Sequence, residues 1–113
     1  MTTMKRLNFF PYYEELLGSR AKTTTLRLHP PGIEPGEEVM LTVGWDEPGA
    51  AELHTARVES VFTRRLGDLT DEDLAGESPD CLTSASALYV LSCIYRQILS
   101  EERIVWVVKF SHL

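Results

Sequence analysis

The sequence predicts one α+β domain in which a small mixed or antiparallel sheet curls into a barrel, with about three helices packed outside it. Three observations carry this reading. Two β-rich runs, 38–45 and 52–65, flank the turn signal "DEPG" as a long hairpin. A further run, "RIVWVVKF" at 103–110, is apolar on both parities, as a strand covered on both faces must be. The helical patterns are too few to supply the crossovers that a parallel sheet requires. With 113 residues and 43% hydrophobic content, the chain is read as a single domain over 1–113 with a core that needs no staples.

The elements follow in order. Residues 8–18, "NFFPYYEELLG", read as a first helix, since Pro11 suits a first turn and Gly18 a stop. Residues 23–29 alternate as a strand, and the Pro- and Gly-rich "HPPGIEPGEE" is loop. In the hairpin's second strand the apolar parity shifts around Glu59 to Val61, which predicts a bulge. Thr70 and Asp73 have the spacing of a capping box at the start of a short helix. From 83 to 99 the residues Leu88, Leu91, Tyr95 and Ile98 form one helical stripe, with Cys93 and Ile94 beside it. The expected order is helix, three strands, two helices, strand.

Composition narrows the function classes. Seventeen acidic against eleven basic residues give a formal charge of -6, which opposes non-specific binding to a polyphosphate. Cys81 and Cys93 stand alone, so neither a disulfide framework nor a zinc site is indicated, and both are read as reduced structural thiols. The N-terminus lacks an apolar leader core and no stretch is long enough to span a membrane, so a cytoplasmic protein without a membrane partner is expected. His29, His54 and His112 read as isolated, and neither metal nor cofactor is implied. Oligomeric state is left open.

Chemistry concentrates in "SRAKTTTLRLHPPG", residues 19–32. On a strand, Thr24, Leu26 and Leu28 share the core face, which puts Thr25 and Arg27 on a polar face or in a cleft. Lys22 lies in the preceding turn, where its ammonium is expected within reach of the Thr25 hydroxyl. Composition and spacing alone read the run as an exposed strand with solvated cations, since threonine is a good strand former.

The residues also resemble a known family. Lys22, Thr25 and Arg27 match three of the four fixed places of the ASCH-domain signature Gly-x-Lys-x-x-Thr-x-Arg, in the PUA-like superfamily. The likeness continues through Phe9 and Phe10, "PGEEV" before the second long strand, "LT" before an acidic helix and the closing "VWVVKF", so it spans nearly the whole chain. Such a resemblance implies a small PUA-like β-barrel. Within the family the chain is most similar to small bacterial N4-acetylcytidine amidohydrolases, whose Lys, Thr and Glu positions correspond to Lys22, Thr25 and Glu77. Arg27 and Arg20 are then expected to bind substrate. Arg20 occupies the place of the signature glycine, a strained choice if the loop requires a positive φ there.

What the resemblance implies is a metal-independent hydrolase that cleaves the amide of a small acylated nucleoside or nucleobase. Lys22 would act either as the base, with its pKa lowered, or as a charged oxyanion stabiliser, and the sequence leaves both open. Tyr12, Tyr13, Phe10, Trp45 and Tyr95 are candidates for stacking a base, and Arg64 and Arg65 for a phosphate. The alternative is a non-catalytic, RNA-binding PUA-like module using Arg20, Lys22 and Arg27. A third reading is a partner-binding domain with a vestigial cleft.

Overall fold

Alternating apolar residues define five strands, and two separate apolar faces determine how the strands curl. The computed structural model describes residues 4–113; the first three residues of the N-terminal segment read above as leaderless lie outside them. The strands are β1 (Lys5–Phe9), β2 (Thr24–Arg27), β3 (Glu38–Val43), β4 (Ala51–Arg65) and β5 (Ile104–His112), in the sheet order β1-β3-β4-β5-β2. β1 runs parallel to β3, and every other neighbouring pair is antiparallel. Together with helices α1 (Glu14–Gly18), α2 (Asp71–Leu74) and α3 (Ser84–Tyr95), this mixed sheet makes an α+β half-barrel. No helix among the described residues is long and apolar enough to cross a membrane.

The inner face of the sheet gathers Leu7, Phe9, Val39, Leu41, Ala56, Val58, Val108 and Phe110, joined by Leu17 from α1. The outer face gathers Leu26, Leu28, Val105 and Val107 under Ala87 and Leu91 of α3. β5 contributes to both clusters, as its unbroken apolar run requires. The bulge in β4 falls at Glu59: Val58 pairs with Phe110 and Ser60 with Lys109, leaving one residue extra. Parity flips there, so Val58 packs on the inner cluster and Phe62 on the outer one.

Two elements depart from the sequence reading. Asn8 and Phe9 end a strand instead of opening a helix. Pro11 explains this, because the residue before a proline is driven out of the helical region, and Phe10 is extended at φ -69 and ψ 154. The missed strand supplies the parallel pair with β3. The second departure is at the end of α3, which stops at Tyr95 because Arg96 turns left-handed at φ 52. Ile98 thereby loses its helical phase and is fully exposed, while Leu99 is buried in its place.

Candidate active site

The sheet is open between its two edges, β1 and β2, and the site occupies that gap. Arg27 bridges the edges: its Nη2 donates to the Asn8 carbonyl of β1 at 2.7 Å, and its guanidinium lies 4.9 Å from the centre of the Phe9 ring. Below this bridge is a cavity of about 190 Å³. Lys22, Thr25, Arg27 and Glu77 line it together with Cys81 and the aromatic residues Phe9, Phe10, Tyr13 and Tyr95. Four of the five sequence-predicted site residues therefore converge.

Arg20 does not join them. It is exposed, and its Nη1 donates to the Leu113 carbonyl at 3.1 Å. Its contribution is made by its backbone. Arg20 N donates to Leu17 O at 3.0 Å and Ala21 N to Leu16 O at 2.9 Å, which is the Schellman arrangement at the end of α1. The residue at its left-handed position is Arg20, with φ 66. The loop has thus kept the geometry that favours a glycine while carrying a residue with a Cβ. Lys22 follows two residues later, turned inward.

Glu77 reaches Lys22 across the fold through a second set of backbone contacts. Thr23 N and Thr24 N both donate to the Gly76 carbonyl, at 2.8 and 3.1 Å, which pins the segment after α2 to the start of β2. Gly76 has φ +86, and a Cβ there would stand 2.1 Å from the Thr23 hydroxyl, so this contact requires glycine. Lys109 of β5 strengthens the junction by donating to Thr24 Oγ1, Asp73 O and Ala75 O at 3.0–3.2 Å, in effect capping α2. The Thr70–Asp73 capping box starts that helix as its spacing predicts.

Lys22 and Glu77 form an ion pair in which the side chains are only 2% and 4% exposed. The same Glu77 oxygen accepts from Ser78 N at 2.7 Å and Ser78 Oγ at 2.9 Å, and Lys22 Nζ lies 3.3 Å from Ser78 Oγ. The ammonium also sits 4.9 Å from the Tyr13 ring centre. The Lys22 pKa is lowered from 10.5 to about 7, chiefly by burial and also by Arg27, with Cys81 and Asp80 acting in the opposite direction. The Glu77 carboxylate in contact with the ammonium favours the charged lysine, so burial and ion pairing act on Lys22 in opposite directions.

Lys22 bonds to Glu77 and Ser78 rather than to Thr25, which corrects the contact expected from the strand register. Thr25 is 5% exposed and pairs with Val108, so it faces the barrel interior. Among the described residues its hydroxyl has no protein partner, while no fully buried side-chain polar atom is left unpaired. The hydroxyl therefore opens onto the cavity.

Other expected residues sort by position. Phe10, Tyr13 and Tyr95 line the cavity, whereas Tyr12 and Trp45 are exposed and pack against Phe10 from outside, with ring centres 6.2 and 5.4 Å away. Arg64 pairs with Asp73 and lies over Phe62, and Arg65 pairs with Asp68 and Glu102, so neither reaches the cavity. Cys81 is buried and its thiol is pushed up to about 12, chiefly by burial, whereas Cys93 is exposed rather than structural.

The histidines are not all isolated. His112 Nε2 lies 2.7 Å from the Lys22 carbonyl, and because a carbonyl only accepts, that nitrogen carries the proton. The ring's Nδ1 shares a second hydrogen bond with His54 Nε2, also at 2.7 Å. Burial, His112 and Arg20, in that order, lower the His54 pKa. This relay fixes the backbone beneath Lys22. Among the described residues, no three His, Cys, Asp or Glu side chains are placed to hold a metal ion.

No protein-family model and no curated protein matches the sequence. Solved structures do match. A crystal structure of an ASCH domain from Lactobacillus crispatus superposes with a TM-score of 0.73 over 98% of this chain and 80% of that one, at 13% identity. This chain has the fold of an ASCH domain. A second crystal structure, of an Enterococcus faecalis protein described under the family DUF984, gives a TM-score of 0.69 over 100% of this chain and 82% of that one, at 12% identity. At such identities the likeness concerns the ASCH fold, and the chemistry must be argued from the cavity itself.

Proposed function

We propose that this ASCH-fold protein hydrolyses the amide of a small acylated nucleobase or nucleoside of the N4-acetylcytidine type. The observation that carries the proposal is the buried Lys22–Glu77 pair in the same cavity as an unbonded Thr25 hydroxyl. A buried ion pair is a poor way to stabilise a fold, since apolar residues of equal volume do as well or better. A cavity that retains one beside a free hydroxyl is suited to moving a proton.

On this reading Thr25 Oγ1 bonds to the acyl carbon as its proton passes to the Lys22–Glu77 pair. Collapse of the tetrahedral species breaks the carbon–N4 bond, and the pair returns the proton to the leaving nitrogen. Water, deprotonated by the same pair, then splits the acyl-threonine into carboxylic acid and free hydroxyl. The burial that lowers the Lys22 pKa, together with the Glu77 carboxylate in contact with it, supports a proton-transfer role for the pair. Phe10, Tyr13 and Tyr95 supply faces for a planar ring, and Arg27 a donor at the cavity's rim.

The test is release of acetate and cytidine from N4-acetylcytidine by the purified protein. Thr25→Val keeps the side-chain shape and is expected to lower the rate roughly 100-fold or more while the protein stays folded. Thr25→Ser is expected to keep part of it. The rate constant kcat/KM is expected to rise with pH and level off above about 7, as Lys22 loses its proton. A folded wild-type protein inert toward acylated cytidines, or a Thr25→Val variant at full rate, would overturn the proposal.

A further inference from the structure

A second cavity, of about 270 Å³, adjoins the first, and Asn8, Arg27 and Tyr95 line both. Its other walls include Arg6, His29, Pro30 and Pro31, and none of the described residues lining it is a carboxylate. In a chain with a formal charge of -6, a cavity bordered by two guanidiniums and an imidazole gathers donors suited to an anion. We propose that this second cavity is a phosphate subsite, so that the paired cavities take a nucleoside monophosphate in preference to a free nucleoside. The inference rests on the acyl-nucleoside reading above and deepens it.

The chemistry of the walls supports this ligand. Arginine presents a planar fork of donors that matches phosphate oxygens, and a charge-assisted bond of this kind is about twice as strong as a neutral one. Arg6 is paired with Glu52 at 3.3 Å, but both side chains are well exposed, at 38% and 53%, so that pair is weak and yields readily to a dianion. His29 is held by the following Pro30 and Pro31 and lies edge-on to Tyr95, ring centres 6.4 Å apart. Asn8 is fixed by its own bonds to Thr42 Oγ1 and Gly44 O, at 2.8 and 3.1 Å. A base lying against Phe10 and Tyr13 in the first cavity would place its sugar along the shared wall of Arg27 and Tyr95, with the phosphate beyond it.

The experiment compares cytidine, cytidine 5′- and 3′-monophosphate and inorganic phosphate as ligands of the wild-type protein, by calorimetry and by NMR of the His29 ring. One monophosphate is expected to bind roughly tenfold or more tighter than cytidine in low salt, with the advantage shrinking as salt is added. In Arg6→Ala and in His29→Ala the ratio of the two affinities should fall toward one. Inorganic phosphate alone should shift the His29 signals. Equal binding of cytidine and both monophosphates overturns the subsite and leaves the nucleoside reading standing. If neither cytidine nor its phosphates bind while inorganic phosphate still moves His29, the nucleoside reading fails and the subsite stands. A cytidine-containing trinucleotide that binds tighter than both monophosphates would overturn the mononucleotide assignment in favour of an RNA strand.

Discussion

The Lys22–Glu77 pair makes a stability prediction that is independent of substrate. Both side chains are almost wholly buried, and each is the other's charge partner, with Ser78 completing the hydrogen bonds. Replacing one member with an apolar residue leaves the other as an uncompensated buried charge, an effect of about 3–5 kcal/mol. For a domain of 113 residues, at about 2.1 cal/mol/K of unfolding entropy per residue, that lowers Tm by roughly 13–21 °C. Lys22→Met and Glu77→Leu should each show this loss at pH 7. The double variant should recover most of it, giving a large favourable coupling in the cycle. A pH dependence follows for Glu77→Leu. The Lys22 pKa in the folded protein lies below its unfolded value, so between about 7 and 10.5 the unfolded chain binds more protons and stability rises with pH. The deficit of Glu77→Leu should therefore shrink as the pH is raised through that window. Thermal and urea denaturation of the four proteins at two pH values measures all of this. Single-variant losses below about 1 kcal/mol, or a double variant equal to the sum of its parts, would refute the argument.

Three further outcomes are expected. Arg20→Gly should raise stability by about 0.5–1 kcal/mol, because glycine adopts the φ of 66 without strain; Arg20→Ala, which keeps the strain and loses the bond to Leu113, should lower it, and thermal melts that rank the two alike would contradict this. Gly76→Ala should destabilise the protein by about 2 kcal/mol or more and disturb the position of Glu77, since the new Cβ would stand 2.1 Å from Thr23 Oγ1; an unchanged urea midpoint would count against the close approach. Alkylation of the native protein at mildly alkaline pH should modify Cys93 and spare Cys81, whose thiol is buried and pushed up to about 12; mass spectrometry showing both modified at similar rates would count against that environment.

How far the sequence could be read depended on the range of each interaction. The hairpin, the bulge at Glu59, the capping box at Thr70 and the doubly covered β5 were legible because each follows from neighbours in the chain: parity, a turn signal or a cap spacing. The resemblance to the ASCH signature and to its amidohydrolases singled out Lys22, Thr25, Arg27 and Glu77, and all four line one cavity. β1 went unseen because it has only two inward apolar residues, Leu7 and Phe9, and its place depends on parallel pairing with β3, a contact more than thirty residues away. Arg20 was assigned to the ligand because of its charge, and only the folded loop revealed that its backbone serves the turn while its side chain points to Leu113.

The sequence by itself determined which segments would be strands or helices wherever the pattern was strong, and which residue types would be available for chemistry. Tertiary structure alone decided that Lys22 bonds to Glu77 instead of Thr25, that Gly76 and Lys109 lock α2 against β2, and that a second cavity, with no carboxylate among the described residues lining it, adjoins the first. The physical reason is that periodicity and capping act over a few residues, whereas the Lys22 pKa is set chiefly by desolvation, and its charge partner Glu77 is brought to it from 55 residues away.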